Sequence, residues 1–203
     1  MTSVDLSHHK SLRERKKAKT RAAIREHALR LFREQGYGAT TVEQIAAAAE
    51  VSSSTFFRYF PTKEDVVLRD DFDDRLFEAF DRQPAALAPI TALRAALREA
   101  IATFTPQEWA EFQERAALSM TIPEIRARTL DELSRTIQVA TDALAKRVGR
   151  PADDLAVRVY AGAIFGVMLA VTGPEAYSEG VLGRELFDRI DEALALLEQG
   201  LPL

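Results

Sequence analysis

The amino-acid sequence predicts an all-α chain of nine helices, on three observations. Strong helix formers (Ala, Leu, Arg and Glu) fill a chain of 203 residues that holds only 9 glycines and 8 prolines. Apolar residues recur at spacings of three and four along most of its length. Prolines and glycines fall between those stretches, where they act as stop signals.

Taken in order, residues 1–12 read as a disordered tail. The first helix runs from about Lys16 to Gln35, with Ile24, Ala28, Leu31 and Phe32 on one face, and Gly36 and Gly38 end it. The second opens at Thr41, where Thr41 and Gln44 form a capping box, and runs to about Ala49. After a tight break at Glu50-Val51, the third runs from an N-cap at Ser52 to Tyr59, and Pro61 stops it. The fourth opens at Thr62, capped by Asp65, and continues to about Arg82.

Pro84 and Pro89 break the chain before the fifth helix, about 91–104. Thr105, Pro106 and Glu108 open the sixth, with proline at the first helical position. Pro123 separates it from a long seventh helix to Val148, ended by Gly149 and Pro151. The eighth spans about 153–172 and the ninth about 183–199. In the eighth, Val159–Val171 is uncharged but too short for a span, which needs about 20 apolar residues; the expectation is no membrane segment. Leu182, Leu186, Ile190, Leu194 and Leu197 form one stripe on the ninth. An apolar eighth helix with small residues (Ala161, Gly162, Gly166, Ala170) beside a striped ninth suits a homodimer interface; packing within the chain fits equally well.

Charge is unevenly placed. Residues 1–63 carry 12 Lys/Arg and 6 Asp/Glu, net +6; residues 64–203 carry 15 and 25, net −10, giving the formal −4. A basic front suits a polyanion, although a solvated tail would look the same. No cysteine is present, so disulfides and thiolate metal sites are excluded, and a cytoplasmic setting fits. No apolar stretch precedes the basic run, so no signal peptide is expected.

Two short helices joined by a sharp turn, the second rich in hydroxyls, form a helix-turn-helix. Ala46, Ala47 and Ala48 are small enough to let the second helix cross closely, and Val51 and Phe56 plug the angle. Ser53, Ser54, Thr55 and Arg58 are left to face outward. Arginine suits guanine O6 and N7, and hydroxyls suit phosphates or base edges.

The run RAAIREHALRLFREQGYGATTVEQIAAAAEVSSSTFFRYFPTKEDVVL, Arg21 to Leu68, resembles the N-terminal domain of the TetR family of regulators. It covers about a quarter of the chain, and the order of the later helices suits that family's ligand and dimer domain. The string TFFRYFPTKEDV most resembles a subgroup that includes the mycofactocin-system regulators, which answer to acyl-CoA-type ligands.

The resemblance implies a nine-helix architecture divided into a tail over 1–12, a DNA-binding domain over 13–62 and a ligand-binding and dimerisation domain over 63–203. It implies a homodimer through the eighth and ninth helices, a double-stranded DNA operator, and an apolar or acyl-CoA-like effector, with no cofactor and no metal. The DNA contacts it implies are Thr41, Ser53, Ser54, Thr55, Phe57, Arg58, Tyr59 and Lys63, the last on a backbone phosphate. The basic run Arg13, Arg15, Lys16, Lys17, Lys19 and Arg21 reads beside them as an arm, of which Arg13, Lys17 and Arg21 are the candidate contacts.

Two residues depart from the family pattern. Phe57 stands where a phosphate-binding tyrosine is common, so that bond is lost or replaced by apolar contact with a thymine methyl. Glu50 stands where glycine is usual in the turn; a left-handed conformation there costs about 1–2 kcal/mol.

Candidate ligand-lining residues are Phe77, Phe80, Leu97, Ile101, Phe104, Trp109, Phe112, Met120, Phe165 and Met168. Each taken singly fits plain core equally. Arg115, Arg126 and Arg128 are candidates for an acidic head group. The fourth helix, passing from the DNA side into the rear domain, is the expected lever between ligand and DNA. An enzyme finds little support: His8 and His9 lie in the tail, His27 on the first helix, and neither a glycine-rich phosphate loop nor H-E-x-x-H occurs. A helical adaptor binding protein through its acidic surface is the third class; operator binding separates a regulator from both.

Overall fold

The helix-opening signals act where the sequence puts them. In a computed structural model, which describes residues 12–69, 72–172 and 183–202, the side chain of Thr41 accepts from Gln44 N while Gln44 Oε1 accepts from Thr41 N. Ser52 Oγ accepts from Thr55 N. Thr62 and Asp65 cap each other reciprocally, as do Thr105 and Glu108. Each side chain satisfies a backbone N–H that the first helical turn leaves without a partner.

The helices among the described residues are α1 (Leu12–Gln35), α2 (Val42–Ala48), α3 (Ser53–Tyr59), α4 (Asp65–Leu68), α5 (Phe72–Arg82), α6 (Pro89–Ala102), α7 (Pro106–Thr121), α8 (Pro123–Val148), α9 (Leu155–Val171) and α10 (Arg184–Glu198). No strand occurs among them. α4 and α5 occupy the stretch expected to be one helix. Arg69 is not helical, and residues 70 and 71 lie outside the described set, as do the expected tail through residue 11 and the loop over 173–182. The expected lever is therefore not a continuous helix.

The chain divides between Val67 and Leu68, five residues after the expected boundary. The N-terminal unit keeps Thr62–Val67 because Asp65, Val66 and Val67 are buried in it. Its core joins Ile24, Ala28, Leu29 and Phe32 of α1 to Ile45, Ala46, Phe56 and Phe60; Leu31 is only half-buried, and Leu29 takes the buried place beside Ala28.

In the C-terminal unit, α5, α6, α9 and α10 share one core, with Phe72, Leu76, Phe80, Ile90, Leu97, Phe187, Ile190 and Leu194 buried. Leu144, Ala145, Val157 and Ala161 join α8 to α9. Arg94 of α6 clamps α10, donating to Asp191 at 2.9 Å and to Glu198 at 2.6 Å. Near the end of α8, the Arg147 guanidinium donates to the carbonyl of Phe80 in the last turn of α5 and to those of Gln83, Pro84 and Leu87 just past its end, and sits 5.1 Å from the Phe80 ring centroid. Arg69, which precedes α5, meets Glu132 of α8 at 3.6 Å, fifteen residues before Arg147, so α5 and α8 run in the same direction.

Candidate nucleic-acid interface and ligand cavity

The break between α2 and α3 is a left-handed helix terminus. Val51 N donates to Ala46 O at 2.9 Å and Glu50 N to Ala47 O at 3.1 Å, with Glu50 at φ +55°. That is the paired hydrogen-bond pattern glycine usually closes, here closed by a glutamate with a side chain exposed to solvent. Phe56 is fully buried behind the turn. α3 then presents Ser54, Phe57 and Arg58 to solvent, with Ser53, Thr55 and Tyr59 half-buried. Ser52 Oγ lies 2.9 Å from Ser54 Oγ and 3.0 Å from Thr55 Oγ1, so three hydroxyls share one local network.

Within the same unit an open groove is lined by Leu12, Arg13, Lys16, Lys17 and Thr20 of α1 and by Arg58 and Tyr59 of α3. The basic run and the arginine of the third helix thus converge on one surface; Arg13, Lys16, Lys17 and Arg58 are all exposed. Arg58 sits 5.4 Å from the Tyr59 ring centroid. Arg21 points elsewhere: it is half-buried, 5.8 Å from the Phe60 ring.

Thr41 is exposed at the start of α2. Lys63 has a structural role that residue type and position do not reveal. Its ammonium donates to Tyr37 O and Thr40 O, both at 2.9 Å, and lies 3.9 Å from the Tyr37 ring centroid. Two of its three donors are thereby engaged in holding the loop between α1 and α2. Tyr37 in turn donates to Glu64. Burial alone would raise the Glu64 carboxyl; the Tyr37 bond, its own backbone, Thr62 and Lys63 outweigh that and hold it below the usual range.

In the C-terminal unit an almost wholly apolar cavity of about 90 Å³ lies among α5, α6, α8 and α9. Of the ten expected lining residues it takes four: Phe77, Phe80, Phe165 and Met168. Leu97 is buried in the core, with Ile101 packed on it. Phe104, Trp109 and Phe112 gather around Phe187 at centroid distances of 6.4, 5.6 and 5.2 Å, each ring filling space against another ring. Met120 is half-buried on α7, and neither it nor Arg115, Arg126 or Arg128 reaches the cavity. The wall missed by sequence reasoning is α8, which contributes Thr136, Ala140, Ala143 and Leu144. Their spacing of four, three and one puts all four on one helical face, a signal the sequence did hold.

Residues 24–69 match the bacterial regulatory proteins of the tetR family, and residues 87–202 match the MftR C-terminal domain. The chain belongs to the TetR family. It is a DNA-binding transcriptional regulator with a helix-turn-helix head, not an enzyme.

Among TetR-family relatives, it is similar to the HTH-type transcriptional regulator TcmR of Streptomyces glaucescens, 45% identical over 89 residues. That match takes in 43% of this chain and only 39% of TcmR, so the chain spans about two fifths of that relative. It is also similar to the protein named mycofactocin biosynthesis transcriptional regulator MftR of Mycobacterium tuberculosis, 28% identical over 80% of this chain and 82% of that one. Of solved structures, FadR of Thermus thermophilus, a TetR-family repressor in complex with lauroyl-CoA, superposes with a TM-score of 0.53 at 27% identity, covering 90% of this chain and 95% of that one. Among the described residues of this TetR-family chain, no helix is long and apolar enough to cross a membrane.

Proposed function

We propose that the chain is a repressor that binds a near-palindromic operator as a homodimer and is released by an apolar, acyl-bearing ligand. The observation that carries the DNA half is the groove in which Arg13, Lys16 and Lys17 of α1 meet Arg58 and Tyr59 of α3. Arg58 is assigned to a base edge, the lysines and Arg13 to phosphates or the minor groove, and Ser53, Ser54, Thr55, Thr41 and the remaining Lys63 donor to the backbone.

Dimerisation is assigned to α9 and α10. Leu155, Val159 and Leu169 on α9 and Leu196 on α10 are 74, 61, 60 and 46% exposed. On α9 they share a side with Gly162 and Gly166, where an added Cβ would meet nothing within 4 Å, so a second copy can approach closely. Half-site centres then lie about one helical turn apart, roughly 34–36 Å, or a multiple.

The ligand half is supported by the apolar cavity, and by the lauroyl-CoA complex of the FadR neighbour. At about 90 Å³ the cavity is smaller than the roughly 300–1,000 Å³ of common ligand sites, so a long chain enters by displacing lining side chains. Ligand and operator then oppose each other reciprocally, with couplings of about 1–3 kcal/mol.

The test is selection of bound fragments from genomic DNA. Light scattering of the free protein and calorimetric titration of acyl-CoAs and fatty acids, with and without the selected operator, complete it. A monomer would remove the interface, and ligand affinity unchanged by operator would remove the switch.

A further inference from the structure

We propose that Phe57 reads the C5-methyl group of a thymine in each half-site, so that this chain prefers thymine at one operator position through a contact that involves no hydrogen bond. The inference rests on the operator-binding reading above. Phe57 is 49% exposed, whereas its neighbours Phe56 and Phe60 are fully buried. In the described part of the N-terminal unit, only Leu12 is another large apolar side chain so exposed. Phe57 follows Ser54 by three residues and Ser53 by four, which places the ring on the same helical face as those hydroxyls, next to Arg58.

A phenyl ring has no donor or acceptor for a phosphate. In the major groove every base edge is marked by donors and acceptors except at one apolar group, the thymine methyl. The ring is also held in place: its centroid lies 5.5 Å from that of Phe56 at 87°, edge against face, and Phe56 is locked in the core. A fixed apolar ring among hydroxyls and a guanidinium therefore adds discrimination by size and hydrophobicity where its neighbours add it by hydrogen bonding.

The test takes the selected operator and replaces thymines by deoxyuridine, symmetrically in the two half-sites and one position at a time. This removes the methyl and leaves every donor and acceptor in place. At one position the wild type should bind about fourfold more weakly per half-site, the fold-change that one methyl's burial, ~0.8 kcal/mol, converts to. Phe57→Ser should bind the thymine and uracil duplexes alike. Phe57→Leu, which keeps an apolar side chain, should retain part of the preference and shows whether loss in the serine variant reflects misfolding. Uracil tolerated at every position by the wild type, or a methyl preference that survives in Phe57→Ser, would overturn the assignment while leaving operator binding intact. A protein that selects no duplex would overturn the operator reading beneath it.

Discussion

Replacing Glu50 by glycine should stabilise the DNA-binding head. Glu50 occupies the left-handed position after α2 at φ +55°, a conformation that costs a residue with a Cβ about 1–2 kcal/mol. Glycine removes that cost but gains freedom in the unfolded chain, which offsets about 0.4–1 kcal/mol. Taking the midpoints, the net gain is about 0.8 kcal/mol. The two backbone hydrogen bonds that close the turn, Val51 N to Ala46 O and Glu50 N to Ala47 O, are untouched. Fluorescence would be a poor reporter, because the single tryptophan, Trp109, lies in the other unit. Amide hydrogen exchange in α2 and α3 reads the head directly, and 0.8 kcal/mol corresponds to about fourfold slower exchange. Glu50→Gln keeps the Cβ and removes the charge, so its exchange should match wild type. Its operator affinity should nevertheless rise, by about 0.2–0.5 kcal/mol per head, because an exposed carboxylate in the turn ahead of α3 is repelled by backbone phosphate through water and salt. Exchange in Glu50→Gly equal to or faster than wild type would refute the strain argument. An unchanged operator affinity in Glu50→Gln would place the carboxylate away from the DNA.

Four further outcomes are expected. Arg58→Ala should relax base preference and cost about 1–3 kcal/mol, whereas Lys17→Ala should weaken all sequences alike and reduce the salt slope by about 1, both read by titrations on operator and scrambled duplex. Lys63→Ala should weaken all sequences alike too, and in addition lower the stability of the head by about 1–3 kcal/mol, since the carbonyls of Tyr37 and Thr40 lose a charged donor; urea melts followed by hydrogen exchange test this. Ala140→Phe should fill the cavity and abolish acyl ligand binding in calorimetry while leaving operator binding in place. Asp191 is held below the usual carboxylate range, chiefly by the hydrogen bond from Arg94. A depressed folded value means the stabilisation is present above the ordinary aspartate range, near pH ~4, and lost on acidification; Arg94→Gln should therefore show a smaller fall in urea midpoint as the pH drops through that range.

The sequence disclosed what is local. Thr41 with Gln44, Ser52 with Thr55, Thr62 with Asp65 and Thr105 with Glu108 act across three residues, and a capping side chain has no nearer competitor than the turn it opens. The basic run and Arg58 were legible as residue types, though not as the two walls of one groove. The grip of Lys63 on carbonyls 23 and 26 residues away was not legible, because nothing in its neighbourhood specifies Tyr37 and Thr40 as partners. Arg69 leaves the helix without a glycine or proline to mark it. For the cavity, helical spacing sorted inward from outward residues but not which interior volume is filled. Trp109 and Phe112, expected at the cavity, pack instead on the ring of Phe187, which comes from a helix more than 70 residues later.

Arg147 makes the two ends of the cavity mechanically unequal. To part the end of α5 from α8 there would break hydrogen bonds from one guanidinium to the carbonyl of Phe80 and to those of Gln83, Pro84 and Leu87 in the chain that follows; a well-formed bond of this kind contributes about 1.5–3 kcal/mol when the donor is charged. At the end near Asp73 and Thr136, Glu132 of α8 is met instead by Arg69, which lies outside α5, at a looser 3.6 Å. A guest too long for the space present would accordingly swing the pair open like a jaw hinged at Arg147, and the number of carbons it inserts would be expressed as an angle between two helices.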